Sequence, residues 1–152
     1  MTDARRWTVL LAACWLGMLL TVAGIATPAP FSTLPPAEAG RVAARVLAAE
    51  AAASLAFGAV LLGLQRIATR RRLAAGERVP QLDAVLVLAA AAVFCTLAGY
   101  YAIVPMMAEA RAGRGALGFG QLHAISTAFF VVKALCVAAL AWRVSRPCVS
   151  SG

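Results

Sequence analysis

Four stretches of the chain are apolar almost without interruption, and most polar residues fall in the links between them. The stretches cover residues 7–26, 42–64, 82–104 and 122–142. Each matches the roughly 20 residues needed to cross about 30 Å of hydrocarbon at about 1.5 Å of helical rise per residue. The strand alternative would need blocks of about 10 residues with alternating polarity, and the pattern contains none. Lipid offers no partner for backbone N–H and C=O groups, so the stretches are predicted as helices. The links break the pattern. TPAPFSTLPP at 27–36 carries four prolines and is expected to end helix one as an irregular link. RIATRRRLAAGERVP at 66–80 reads as a basic turn; Pro105, Met106 and Met107 close the third stretch, and a short Gly- and Arg-rich link follows them.

Composition agrees with this reading. Of the 152 residues, 62% are hydrophobic and 13% charged, and the mean hydropathy is +0.85. An average soluble domain is about 45–50% apolar and about 25% charged. The expectation is an all-α integral membrane protein: one membrane domain over 1–152, built as a four-transmembrane-helix bundle with the lipid bilayer as its main partner.

The formal net charge of +8 is not a nucleic-acid signal, because no basic face interleaved with aromatic residues exists. The arginines instead sort by side. Nine lie at the N-terminus (Arg5, Arg6), between stretches two and three (Arg66, Arg70, Arg71, Arg72, Arg78) and in the tail (Arg143, Arg146); four (Arg41, Arg45, Arg111, Arg114) lie on the other side. Positive loops stay in the cytoplasm. Both termini are therefore expected to be cytoplasmic, in a multi-pass protein of the inner (plasma) membrane, with Trp7 and Trp142 at the inner interface. Arg5-Arg6 followed by an apolar run also resembles a cleavable signal. The run exceeds the usual 7–15 residues or so and the proline-dense sequence after it suits a peptidase poorly, so we expect helix one to be retained.

Without a hydrophobic drive between helices in lipid, small residues are expected at the contacts: Ala13, Gly17, Thr21 and Gly24 in helix one, Ser54, Gly58, Ala59 and Gly63 in helix two, and Ala91, Cys95 and Gly99 in helix three. Two charges interrupt the hydrocarbon segments. Glu50 is about 12 Å deep and Lys133 about 16 Å deep, counted from the same side at helical rise. An intramembrane charge faces the bundle interior and pairs, so Glu50 and Lys133 are expected to form an intramembrane ion pair, with Ser126, seven residues before Lys133, adding to the polar cluster.

Met106, Met107 and His123 are expected at two helix ends on the outer side. Thioether and imidazole groups together suit a soft metal such as copper(I), and His/Met ligation of haem is the remaining cofactor alternative. Adjacent methionines point about 100° apart on a helix, which disfavours a shared ion, and methionine is the ordinary filler of irregular packing. No cofactor is the favoured expectation. Cys14, Cys95, Cys136 and Cys148 fit no metal or redox spacing. No nucleophile elbow, GxGxxG or phosphate loop is present, so an enzyme is not expected.

Two segments carry a family resemblance. APFSTLPPAEAGRVAARV at 29–46 and YYAIVPMMAEARAGRGALGFGQLHAIS at 100–126 resemble the two signatures of the domain-of-unknown-function 4149 family of small four-helix membrane proteins, related to transmembrane protein 205-like proteins. The resemblance implies signature positions at Pro30, Phe31, Ala39, Gly40, Pro105, Met106, Arg111, Phe119, His123 and Ser126, and it implies no reaction. The expected function is a non-enzymatic membrane protein with a ligand or soft-metal pocket at the outer face, drawing on His123, Met106, Arg111, Arg45 and Ser126. The alternatives are a small homodimeric proton-coupled transporter and a structural or assembly partner of another membrane protein.

Overall fold

A computed structural model describes residues 3–77 and 83–146. Helix α1 (Asp3–Thr21) continues through a π-helical turn (Val22–Ala26), and a short 3₁₀ turn (Ala29–Ser32) follows. Helix α2 spans Pro36–Ala74 and α3 spans Ala84–Thr96. A second π-helical turn (Leu97–Ala102) joins α3 to α4 (Ile103–Arg111), and α5 covers Phe119–Ser145. No strand occurs among the described residues. Four helical spans (5–32, 36–74, 84–111 and 119–145) are long and apolar enough to cross a membrane. The protein is an all-helical, multi-pass membrane protein.

The helices outrun their apolar stretches. The prolines at 35 and 36 start α2 instead of preceding it, because a proline in the first turn forfeits no helical bond. At the other end nothing in RIATRRRLAA disfavours helix, so α2 continues to Ala74 and stops at Gly76, which takes φ +78°. The expected basic turn is thus mostly helix: Arg66, Arg70, Arg71 and Arg72 line its last turns, and Arg78 lies outside the described residues. At about 1.5 Å per residue α2 is nearly 60 Å long, about twice the hydrocarbon thickness. Helix three was also expected to end near Val104. Pro105 instead sits in the first turn of α4, just after the π turn that widens the helix upstream of its ring. Met106 and Met107 consequently lie inside a helix that runs on to Arg111, not at its end.

The helices form a ring in which α1 packs on α2, α2 on α3, α3 on α5 and α5 on α1. Arg5 closes the ring at the chain ends, its Nη2 donating to the carbonyls of Val144 (3.4 Å) and Arg146 (2.5 Å). The core is Ala12, Trp15, Leu19, Leu61, Ala89, Ala92, Val137, Leu140 and Val144, with the Trp15 ring stacked on Phe57 at 6.0 Å between centroids.

The small residues divide. In α1 the expected contact face is reversed: Ala13, Gly17, Thr21 and Gly24 are exposed, and Ala12, Trp15, Leu19 and Val22 face inward. A tryptophan N–H in an apolar setting needs an acceptor, and the only way Trp15 reaches one is by turning into the bundle. In α2, Ser54 and Gly58 are buried, whereas Ala59 and Gly63 face out. A Cβ at Gly58 would overlap the Val93 side chain. In the third span Gly99 is the closest approach: a Cβ there would lie 2.6 Å from Phe129 Cβ. The Ser126 hydroxyl donates to the Gly99 carbonyl at 2.7 Å, binding α5 to the π turn.

These positions separate packing glycines from lipid-facing ones. Gly99→Ala pushes against a Cβ that cannot rotate away, so we expect a loss of about 1–3 kcal/mol. Gly17→Ala, with nothing within 4 Å of the new methyl, should be neutral or stabilising by up to about 1 kcal/mol through helix propensity. Thermal denaturation in detergent, ranking the two variants against the parent, checks this.

Candidate functional site

The polar centre of the bundle is built from three helices. Glu50 projects inward from α2, and Ser54, one turn later, shares its face. Lys133 projects from α5, its Nζ lying 2.8 Å from Glu50 Oε1 and 2.9 Å from Oε2. The ammonium thus bridges both carboxylate oxygens. Glu50 is 4% exposed and Lys133 3%, so neither charge meets solvent or lipid. The Ser54 hydroxyl donates to Glu50 Oε1, and Trp15 Nε1 on α1 donates to Ser54 Oγ at 2.9 Å. The Phe130 ring adds a cation–π contact 4.7 Å from Lys133 Nζ. The chain Trp15→Ser54→Glu50←Lys133 is neutral overall. Among the described residues the one buried side-chain polar atom without a partner is Thr27 Oγ1, outside this centre.

Helices α2 and α5 are not neighbours in the ring. The ion pair therefore crosses the bundle diagonally and fixes the separation of two helices that scarcely touch. The direct bonds occupy both carboxylate oxygens and leave no gap along the chain. Such an arrangement can hold helices in register.

Ser126 does not join this cluster. Its hydroxyl is committed to the Gly99 carbonyl, because the π turn lifts carbonyls out of the regular helical ladder and leaves an acceptor facing α5. The sequence pattern passed over Ser54 and Trp15 as polar partners. Ser54 was legible at four residues from Glu50, and Trp15 was signalled by an indole N–H in mid-segment that must find an acceptor.

The remaining candidates gather at the end of the bundle where α2 starts and α4 meets α5. His123 is exposed and its ring stacks on Phe119, with centroids 5.9 Å apart and planes at 16°. The Arg111 guanidinium lies 4.3 Å from the centroid of the same Phe119 ring. Met106 is exposed and Met107 half-buried on α4. Arg45 lines a shallow groove of about 430 Å³ with Leu34, Glu38, Arg41, Val42 and Ala44. Glu38 reaches Arg41 only at 3.9 Å. Among the described residues no three His, Cys, Asp or Glu side chains cluster to hold a metal. Cys14 is exposed, Cys136 half-buried and Cys95 buried, all as free thiols; Cys148 lies outside the described residues.

Residues 10–116 match a family described as Domain of unknown function (DUF4149). The matched region holds Trp15, Glu50, Ser54, the Arg41–Arg45 groove, Pro105, Met106 and Arg111. It ends before Phe119, His123, Ser126 and Lys133. No curated protein and no solved structure matches the chain.

The buried pair predicts a strongly non-additive mutant cycle. Lys133→Met or Glu50→Leu alone strands an uncompensated charge and should cost about 3–5 kcal/mol. Glu50→Leu combined with Lys133→Met removes both charges and should recover most of that loss. Unfolding of all four proteins in one detergent checks the cycle; additive losses would mean the pair carries no coupling.

Proposed function

The chain belongs to the DUF4149 family, whose description assigns no activity, and from that premise we propose a non-enzymatic inner (plasma) membrane protein that binds a small anionic ligand at its outer face. Both termini are cytoplasmic in this reading, as the nine-to-four arginine asymmetry favours. The observation that carries the proposal is the groove over the start of α2. Arg41 and Arg45, one turn apart, both line it, with apolar Leu34 and Val42 beside them and Glu38 the only acidic lining residue. Two arginine side chains beside apolar Leu34 and Val42 suit a carboxylate or phosphate group carried on a small organic body. The Arg111–Phe119–His123 stack supplies a second basic and aromatic element at the same end of the bundle.

His123 serves here as part of that stack, not as a copper or haem ligand, and the neighbouring Arg111 charge disfavours a cation there. The closure of the Glu50–Lys133 pair by direct bonds supports binding over proton-coupled transport, since a transport cycle would have to open it. A second reading, assembly with another membrane protein or a second copy, draws on one observation: the small residues Ala13, Gly17, Thr21 and Gly24 line the outside of α1, where a foreign helix could approach closely.

A thermal-shift screen of organic carboxylates and phosphates on the detergent-purified protein tests the proposal. We expect at least one anion to stabilise the protein, and Arg45→Gln to weaken its binding about tenfold, as loss of one charge-assisted contact implies. The absence of any stabilising anion would overturn it. So would stoichiometric copper in the purified protein that disappears in His123→Ala.

A further inference from the structure

At the opposite end of the bundle, independent of the groove just described, the terminal turns of α5 face the start of α3 across a second groove, of about 560 Å³, lined by Asp83, Val85, Trp142, Arg143 and Arg146. Its charges are arranged unequally. Asp83 is spent locally, accepting from Val85 N at 3.2 Å to cap α3. The Arg146 guanidinium lies 4.9 Å from the centroid of the Trp142 ring, which orients it. Arg143 is exposed. Arg5, from α1, adds a third positive charge beside them, anchored on the carbonyls of Val144 and Arg146.

An apolar track leads away from this basic end. Trp142, Leu135 and Val131 are 63%, 63% and 50% exposed, and their spacing of seven and eleven residues puts them on one face of α5. From Val131 to Trp142 the track is about 16 Å long at helical rise. That is close to the 15 Å or so of one leaflet's hydrocarbon. A basic pocket with an interfacial tryptophan above a leaflet-length apolar strip has the dimensions of one phospholipid.

We infer that this groove is a binding site for an anionic phospholipid of the adjoining leaflet, its phosphodiester held by Arg143 and Arg146 and an acyl chain lying along Trp142, Leu135 and Val131. Charge complementarity selects the class: the groove carries net positive charge, and a zwitterionic headgroup would bring its own cation against the arginines. A free phosphate lacks the chain that the track receives.

The whole chain, stripped of lipid in a neutral detergent, is titrated with phosphatidylglycerol and with phosphatidylcholine of the same leaflet-length acyl chains, and retained lipid is read by native mass spectrometry. We expect preferential retention of one phosphatidylglycerol. It should weaken about fivefold in Arg143→Gln and about thirtyfold in Arg143→Gln combined with Arg146→Gln. Arg70→Gln combined with Arg71→Gln, which removes two charges from the end of α2, should leave retention unchanged. The single Arg143→Gln variant preserves the Arg146–Trp142 contact and keeps the test sound if the double variant folds poorly. Equal retention of the two lipids would overturn the site. Equal weakening in both double variants would reduce it to general surface charge and overturn it too. Displacement of the lipid by millimolar inorganic phosphate would overturn the lipid as occupant.

Discussion

A single ion pair crosses the centre of this bundle, and the packing of the other helices is arranged about it. Glu50 and Lys133 come from α2 and α5, which sit diagonally in the ring and otherwise scarcely touch. Lipid tails are as apolar as leucine, so burying side chains between membrane helices gains little. An unpaired charge in the same place costs several kcal/mol. The pair therefore specifies the arrangement more sharply than the surrounding hydrocarbon can, because any rotation of α2 or α5 that separates the partners strands both. Its cost of desolvation is offset by geometry: both carboxylate oxygens meet the ammonium, and Ser54 and Trp15 extend the bonding to α1.

That requirement explains which faces point inward. Trp15 must reach Ser54, so the first span turns Trp15, Leu19 and Val22 into the bundle and leaves its glycines outside. The third span answers to a different constraint at one end. There Gly99 admits Phe129 to near backbone contact, and Ser126 fills the acceptor that the π turn exposes. The bundle is thus tied by charge at its middle, by a hydroxyl and a glycine toward the α4–α5 link, and by Arg5 at the chain ends. The arginines lie toward its two ends, with Leu34 and Val42 at one groove and Val85 and Trp142 at the other.

Much of the architecture was legible because lipid leaves so few choices. Four apolar runs of membrane-spanning length imply four helices, since no other structure satisfies the backbone there. Boundaries were less legible. Hydropathy reports where hydrocarbon ends, whereas a helix ends where backbone geometry makes it stop. Thus α2 ran past both edges of its apolar stretch, from Pro36 to Ala74, and α4 carried Met106 and Met107 beyond Pro105. The small-residue pattern in α1 pointed the wrong way because spacing cannot say which of two faces a neighbour occupies.

By itself the sequence determined the helical class, the number of spans and the presence of two charges at similar depths, because these depend on composition and spacing along single helices. Tertiary structure alone decided what those charges and hydroxyls touch. Ser54, and not Ser126, completes the Glu50 cluster; Ser126 binds the π turn; Arg111 and His123 share the Phe119 ring; and Arg143 and Arg146 border a groove with α3. The physical reason is that a helix face repeats every 3.6 residues regardless of its surroundings, while a hydrogen bond or ion pair forms only within about 3 Å of a partner on another helix. Ring order and helix rotation set that distance, and both are properties of the assembled bundle.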